Sequence, residues 1–92
     1  MSVRRNSDGK VTFVFDQKPD AKRVFLAGDF NDWSPESRRM VKVRDGTFRA
    51  RMALPRGEYQ YKFVVDGEWR HDDDAEAQAP NECGSLNSVV SV

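Results

Sequence analysis

The chain has a single cysteine and a single histidine among 92 residues, no excess of either charge, and no long apolar run. Each scarcity removes a class of function. One thiol, Cys83, permits no intrachain disulfide, which fits a reducing compartment. With no histidine close to it in sequence, Cys83 reads as a small packing residue rather than a nucleophile. Fifteen Lys and Arg balance 15 Asp and Glu, so the formal net charge is zero. The basic footprint that a phosphate backbone requires is missing, and no nucleic-acid partner is expected. No apolar run approaches the ~20 residues of a membrane span, and "MSVRRNSDGK" lacks the apolar core of a secretory signal. The expectation is a cytoplasmic protein without a membrane partner.

What the chain does have is enough apolar residues, 38%, for one modest core, and 33% charged residues to solvate its surface. That length and balance point to one domain. Residues 1–10 are polar and expected to fray. From residue 11 onward the apolar pattern has period two. "VTFVF" (11–15) sets Val11, Phe13 and Phe15 on one face, and "RVFLAG" (23–28) is apolar on both faces, as a central strand would be. "MVKV" (40–43), "TFRARMAL" (47–54), "EYQYKFVV" (58–65) and "SVVSV" (88–92) continue the series. Asp-Gly pairs at 8–9, 45–46 and 66–67 are strong hairpin signals, because a type I′ turn needs positive φ at both central positions. Only "DDDAEAQAP" (72–80) contains helix formers, and Pro80 limits it. About seven short strands in this length predict an all-β antiparallel β-sandwich.

A two-residue loop at Asp66-Gly67 would set Val65 opposite Glu68, Val64 opposite Trp69 and Phe63 opposite Arg70. Opposed residues share a sheet face. Tyr59, Tyr61, Phe63 and Val65 form the apolar set, so Trp69 belongs to the other face, beside Gln60 and Lys62. A one-residue slip would reverse this. Trp69 would then cover the sheet edge or pack under the 72–80 loop.

An exposed indole beside a hydrogen-bond donor suits a sugar ring, which pairs an apolar C–H face with a fringe of hydroxyls. Covering ~50–80 Å² of ring at ~25 cal/mol per Å² contributes on the order of 1–2 kcal/mol per aromatic. A second indole, Trp33, lies in "GDFNDWSP" (28–35), a loop rich in turn formers, where Phe30 is the better candidate for the buried anchor. "NECGSLNS" (81–88) offers Asn81, Ser85 and Asn87, which serve either as sugar partners or as ordinary turn residues.

"VFLAGDFNDWSP", "LPRGEYQYKFVVDGEWRHD" and "GSLNSVVSV" together resemble carbohydrate-binding module family 48, including the glycogen-binding domain of AMP-activated protein kinase β subunits. The resemblance covers residues 11–92 and implies an immunoglobulin-like β-sandwich over them. It implies an α-1,4-glucan of glycogen or starch type as ligand, with a glucan-metabolising enzyme or a kinase complex as possible partner. It implies stacking on Trp33 and Trp69 and hydrogen bonds from Lys62 and Asn87. Ser85 stands where the kinase-subunit domain has Thr. Cys83 stands where that domain has a Leu that inserts into the sugar chain, so this contact is expected to weaken.

Two other functions compete with sugar binding. Glycoside hydrolysis needs two carboxylates facing across a cleft, ~5 to ~10 Å apart, and a small sandwich offers little cleft. "HDDD" (71–74) reads as a solvated acidic loop, and a metal there would need ligands from elsewhere. No cofactor, metal or catalytic residue is therefore expected. The other rival is a protein-interaction or regulatory sandwich, with Trp33, Trp69, Arg49, Arg51 and Arg70 as interface anchors.

Overall fold

The computed structural model describes residues 3–6, 8–18, 20–81 and 84–92. Among the described residues nine strands follow one another: β1 (Val3–Arg5), β2 (Lys10–Phe15), β3 (Val24–Gly28), β4 (Val41–Lys42), β5 (Phe48–Ala53), β6 (Glu58–Val65), β7 (Glu68–Arg70), β8 (Ala77–Pro80) and β9 (Leu86–Ser91). A 3₁₀ turn, Asp29–Asn31, follows β3. One sheet has the order β1-β2-β5-β4, and the other β3-β6-β9-β8, with β7 also pairing to β6. All pairings are antiparallel.

The period-two pattern decides what the sandwich buries. Val11, Phe13 and Phe15 of β2 face Leu26 of β3 and Tyr61, Phe63 and Val65 of β6 in one core. Its centre is aromatic and crosses between the sheets. Phe13 meets Tyr61 edge-on at 5.1 Å, and Phe15 meets Phe63 edge-on at 4.9 Å. Such pairs add about 0.5–1.5 kcal/mol each beyond the area they bury.

The fold is the expected antiparallel β-sandwich, with four differences in detail. Residues 1–10 contribute a strand where polarity suggested fraying: β1 adds to the edge of β2, pairing Val3 with Phe13 and Arg5 with Val11. The 72–80 stretch forms no helix, because Ala77–Pro80 pairs with β9 as an edge strand. Pro80 is tolerated there since an edge position can forgo an N–H donor. β3 is not central. It borders its sheet, and residues 38–40 cover its free edge through Leu26 N–H to the Arg38 carbonyl and Met40 N–H to the Val24 carbonyl, each 2.8 Å. Its two apolar faces arise because one lies on the core and the other floors a surface groove. Finally, "HDDD" is not solvated throughout, since Asp72 is wholly buried.

Candidate functional site

The Asp66-Gly67 turn adopts the conformation its residues call for, with φ of 49° and 87°. It fixes the register Val65↔Glu68, Val64↔Trp69 and Phe63↔Arg70. Trp69 consequently leaves the core face and stands 47% exposed. The turn is also tied sideways: Asp66 Oδ1 accepts the backbone N–H groups of Arg23 at 2.8 Å and Lys22 at 3.0 Å. Those donors, Arg23 first, hold the Asp66 carboxyl below its ordinary value.

Trp33 is presented by a differently built loop. Gly28 ends β3 where any Cβ would sit 2.6 Å from the Gln60 carbonyl and 2.8 Å from the Phe30 ring. Only glycine allows the backbone and ring to close here. The Asn31 side chain accepts from Gly28 N–H at 3.0 Å and donates to the Leu26 carbonyl at 2.9 Å, locking the turn onto β3. Phe30 packs against the core, with its ring 5.6 Å from Phe13, as its candidacy for anchor required. Asp32 and Trp33 then both take left-handed backbone, at φ 56° and 59°. Two adjacent non-glycine residues in that region cost on the order of 1–2 kcal/mol each. The half-buried indole is steadied by a 3.1 Å hydrogen bond from Nε1 to Asp29 Oδ1. Asp29 Oδ2 accepts Gln60 N–H at 2.8 Å, so one carboxylate couples the Trp33 loop to β6.

The polar candidates form one connected network. Lys62 is only 9% exposed. Its register is outward, but its ammonium reaches the loop before β9 and donates to Ser85 Oγ at 2.6 Å. Asn81 donates to Ser85 Oγ at 2.9 Å and to Asn87 Oδ1 at 3.0 Å, and its own Oδ1 accepts Ser85 N–H at 3.1 Å. Asn87 donates to Gln60 Oε1 at 2.9 Å. Hydroxyl and amide groups that interlock in this way lose little rotamer freedom when a ligand arrives, and their remaining lone pairs and N–H groups suit hydroxyls.

Behind the face lies a buried support. Asp72 Oδ2 accepts the Tyr61 hydroxyl at 2.7 Å, and Oδ1 accepts Gln17 Nε2 at 2.9 Å and Asp74 N–H at 3.0 Å. Ser88 Oγ accepts Asp72 N–H at 2.6 Å. Burial, and then the bond to Asp72, push the Tyr61 phenol far above its ordinary value, so it remains a donor. This plug fastens the segment after β7 to the inner face of β6 and β9. His71 instead faces its neighbour Asp73, 3.0 Å away.

Trp69, Lys62, Asn87 and Ser85 thus surround one sheet surface, and Trp33 joins it through Asp29 and Gln60. Cys83 lies outside the described residues. Sequence reasoning named Asn81 only as one of a polar cluster and gave Asp29 no role. The Asp at the start of "DFNDW" was the available signal for an indole partner.

A sandwich that displays an indole and an interlocked amide-hydroxyl cluster on one sheet face is built as a recognition module. The model of the glycogen recognition site of AMP-activated protein kinase matches residues 10–92. The chain belongs to that family of non-catalytic recognition domains. It is 40% identical over 80 residues to the β-1 subunit of 5′-AMP-activated protein kinase from Sus scrofa, covering 86% of this chain and 62% of the relative. It is 41% identical to the corresponding subunit from Bos taurus, covering 86% of this chain and 28% of the relative. The chain therefore spans less than two thirds of these relatives. Among solved structures, a maltogenic amylase from S. marinus superposes with a TM-score of 0.75 at 24% identity, covering 90% of this chain and 13% of that one. This likeness bears on the fold alone. Among the described residues, no helix is long and apolar enough to cross a membrane.

Proposed function

We propose that the chain binds α-1,4-linked glucan of glycogen or starch type without transforming it. Trp33 and Trp69 stack on glucose rings, while Lys62, Ser85 and Asn87 hydrogen-bond to hydroxyls. The observation that carries this reading is the connected network from Lys62 through Ser85, Asn81 and Asn87 to Gln60, bordering an indole that is 47% exposed. An apolar plate next to fixed donors and acceptors matches the two surfaces of a pyranose. The kinase β subunits among its relatives support a place in a cytoplasmic kinase complex. Two stacked rings and a few hydrogen bonds give micromolar to millimolar affinity, suited to a polymer that offers many repeats.

Co-sedimentation with glycogen tests the proposal. The wild-type chain pellets with the polymer, and Trp33→Ala and Trp69→Ala remain in the supernatant while keeping the far-UV spectrum of a β-protein. A wild-type chain that stays in solution at saturating glycogen would contradict the reading.

A further inference from the structure

The register that exposes Trp69 also lays an apolar row across three strands. Phe25 of β3 pairs with Val64 of β6, and Val64 pairs with Trp69 of β7. Directly opposed residues share a face, so all three lie on the outer surface that also carries Lys62. An open groove of about 770 Å³ follows this row, lined by Trp69, Val64 and Phe25 together with Pro35, Glu36 and Lys22. Pro35 and Glu36 belong to the same loop that carries Trp33, so the groove extends from one indole toward the loop of the other.

The charge lining the groove narrows what fits there. Lys22 and Arg23 are balanced by Glu36 and Asp66. Asp66 is already engaged with the Lys22 and Arg23 backbones. A groove with two cations and two carboxylates has no net attraction for an anion or an acidic peptide. An apolar floor edged by both donors and acceptors matches a neutral, polyhydroxylated ligand.

We infer that this groove is an extended subsite, in which the glucan bound at Trp69 continues over Val64 and Phe25 toward Pro35, with Lys22 donating to its hydroxyls and Glu36 accepting from them. The inference rests on the glucan reading above and adds that affinity grows with chain length through these residues. Lys22 and Glu36 are exposed, so their truncation leaves the fold intact.

The experiment compares maltotriose with maltoheptaose by calorimetry on the wild type, Lys22→Ala and Glu36→Ala. The wild type binds the longer sugar about three- to tenfold more tightly, the worth of one or two hydrogen bonds. Each variant keeps its maltotriose affinity and loses most of the gain. In the wild type, maltoheptaose also perturbs the Val64 methyl resonances. If both variants retain the full gain, or if the wild type shows no gain with length, the subsite is wrong although the glucan reading stands. A wild type that binds neither sugar overturns both.

Discussion

Lys62 Nζ donates to Ser85 Oγ across 2.6 Å, joining the middle of β6 to the loop that enters β9. Lys62 is 9% exposed as a whole, and this hydroxyl aims its ammonium. Ser85→Ala removes the acceptor of this part-buried bond and should cost about 0.5–1.5 kcal/mol in stability. It should also lower glucan affinity several-fold. Ser85→Thr keeps the hydroxyl and restores both. Thermal denaturation and oligosaccharide titration of the two variants check this.

The Tyr61 hydroxyl supports the face from within. Tyr61→Phe removes one of the donors on the wholly buried Asp72 carboxylate. The expected loss is about 1–3 kcal/mol, because a buried acceptor is left short of a donor. Chemical denaturation measures it. An unchanged midpoint would show that water replaces the phenol.

Gly28 carries a steric demand rather than a conformational one. Its backbone is extended, and the obstacle to a side chain is the Gln60 carbonyl 2.6 Å from a Cβ. Gly28→Ala should therefore separate β3 from β6 at this end, lower stability by about 1–3 kcal/mol, and displace the Trp33 loop. Loss of glucan affinity together with a lower Tm is the expected pair of results.

Acid acts on the Asp66 turn. Its carboxyl sits below the ordinary 3.8, chiefly through the Arg23 and Lys22 backbone N–H groups. A depressed folded-state value stabilises the fold above the unfolded value, and that contribution disappears as pH falls through the folded value. The wild type should thus be more stable than Asp66→Asn at neutral pH, and the Tm difference should shrink below about pH 4. A difference that persists unchanged into strong acid would contradict this.

What could be read from the sequence follows from which forces are local. The Asp66-Gly67 pair demands a particular turn, the turn fixes a register, and period two converts that register into a face. Trp69 could therefore be placed outward before any coordinates were known. Phe30 was legible as an anchor for a similar reason, as an apolar residue among turn formers. Two edge strands, β1 and β8, were not legible. β1 is mostly charged, and the alternation in β8 rests on alanines, which are also helix formers, beside a proline. Nor could Asp72 be distinguished from its neighbours in "HDDD". Its burial depends on Tyr61, Gln17 and Ser88, which are distant in sequence and meet only in the fold. The same holds for the Gln60–Asn87–Asn81–Ser85–Lys62 network, whose members are ordinary surface residues until two strands and a loop converge.

The most direct test follows tryptophan fluorescence during titration with maltoheptaose, for the wild type and Trp69→Ala side by side. The wild type should show a saturable change with a Kd between micromolar and millimolar. Trp69→Ala should lose most of that response with its Tm nearly unchanged, since the indole is half-exposed. A flat wild-type titration up to ~10 mM, or a Trp69→Ala variant that unfolds, would contradict the sugar face.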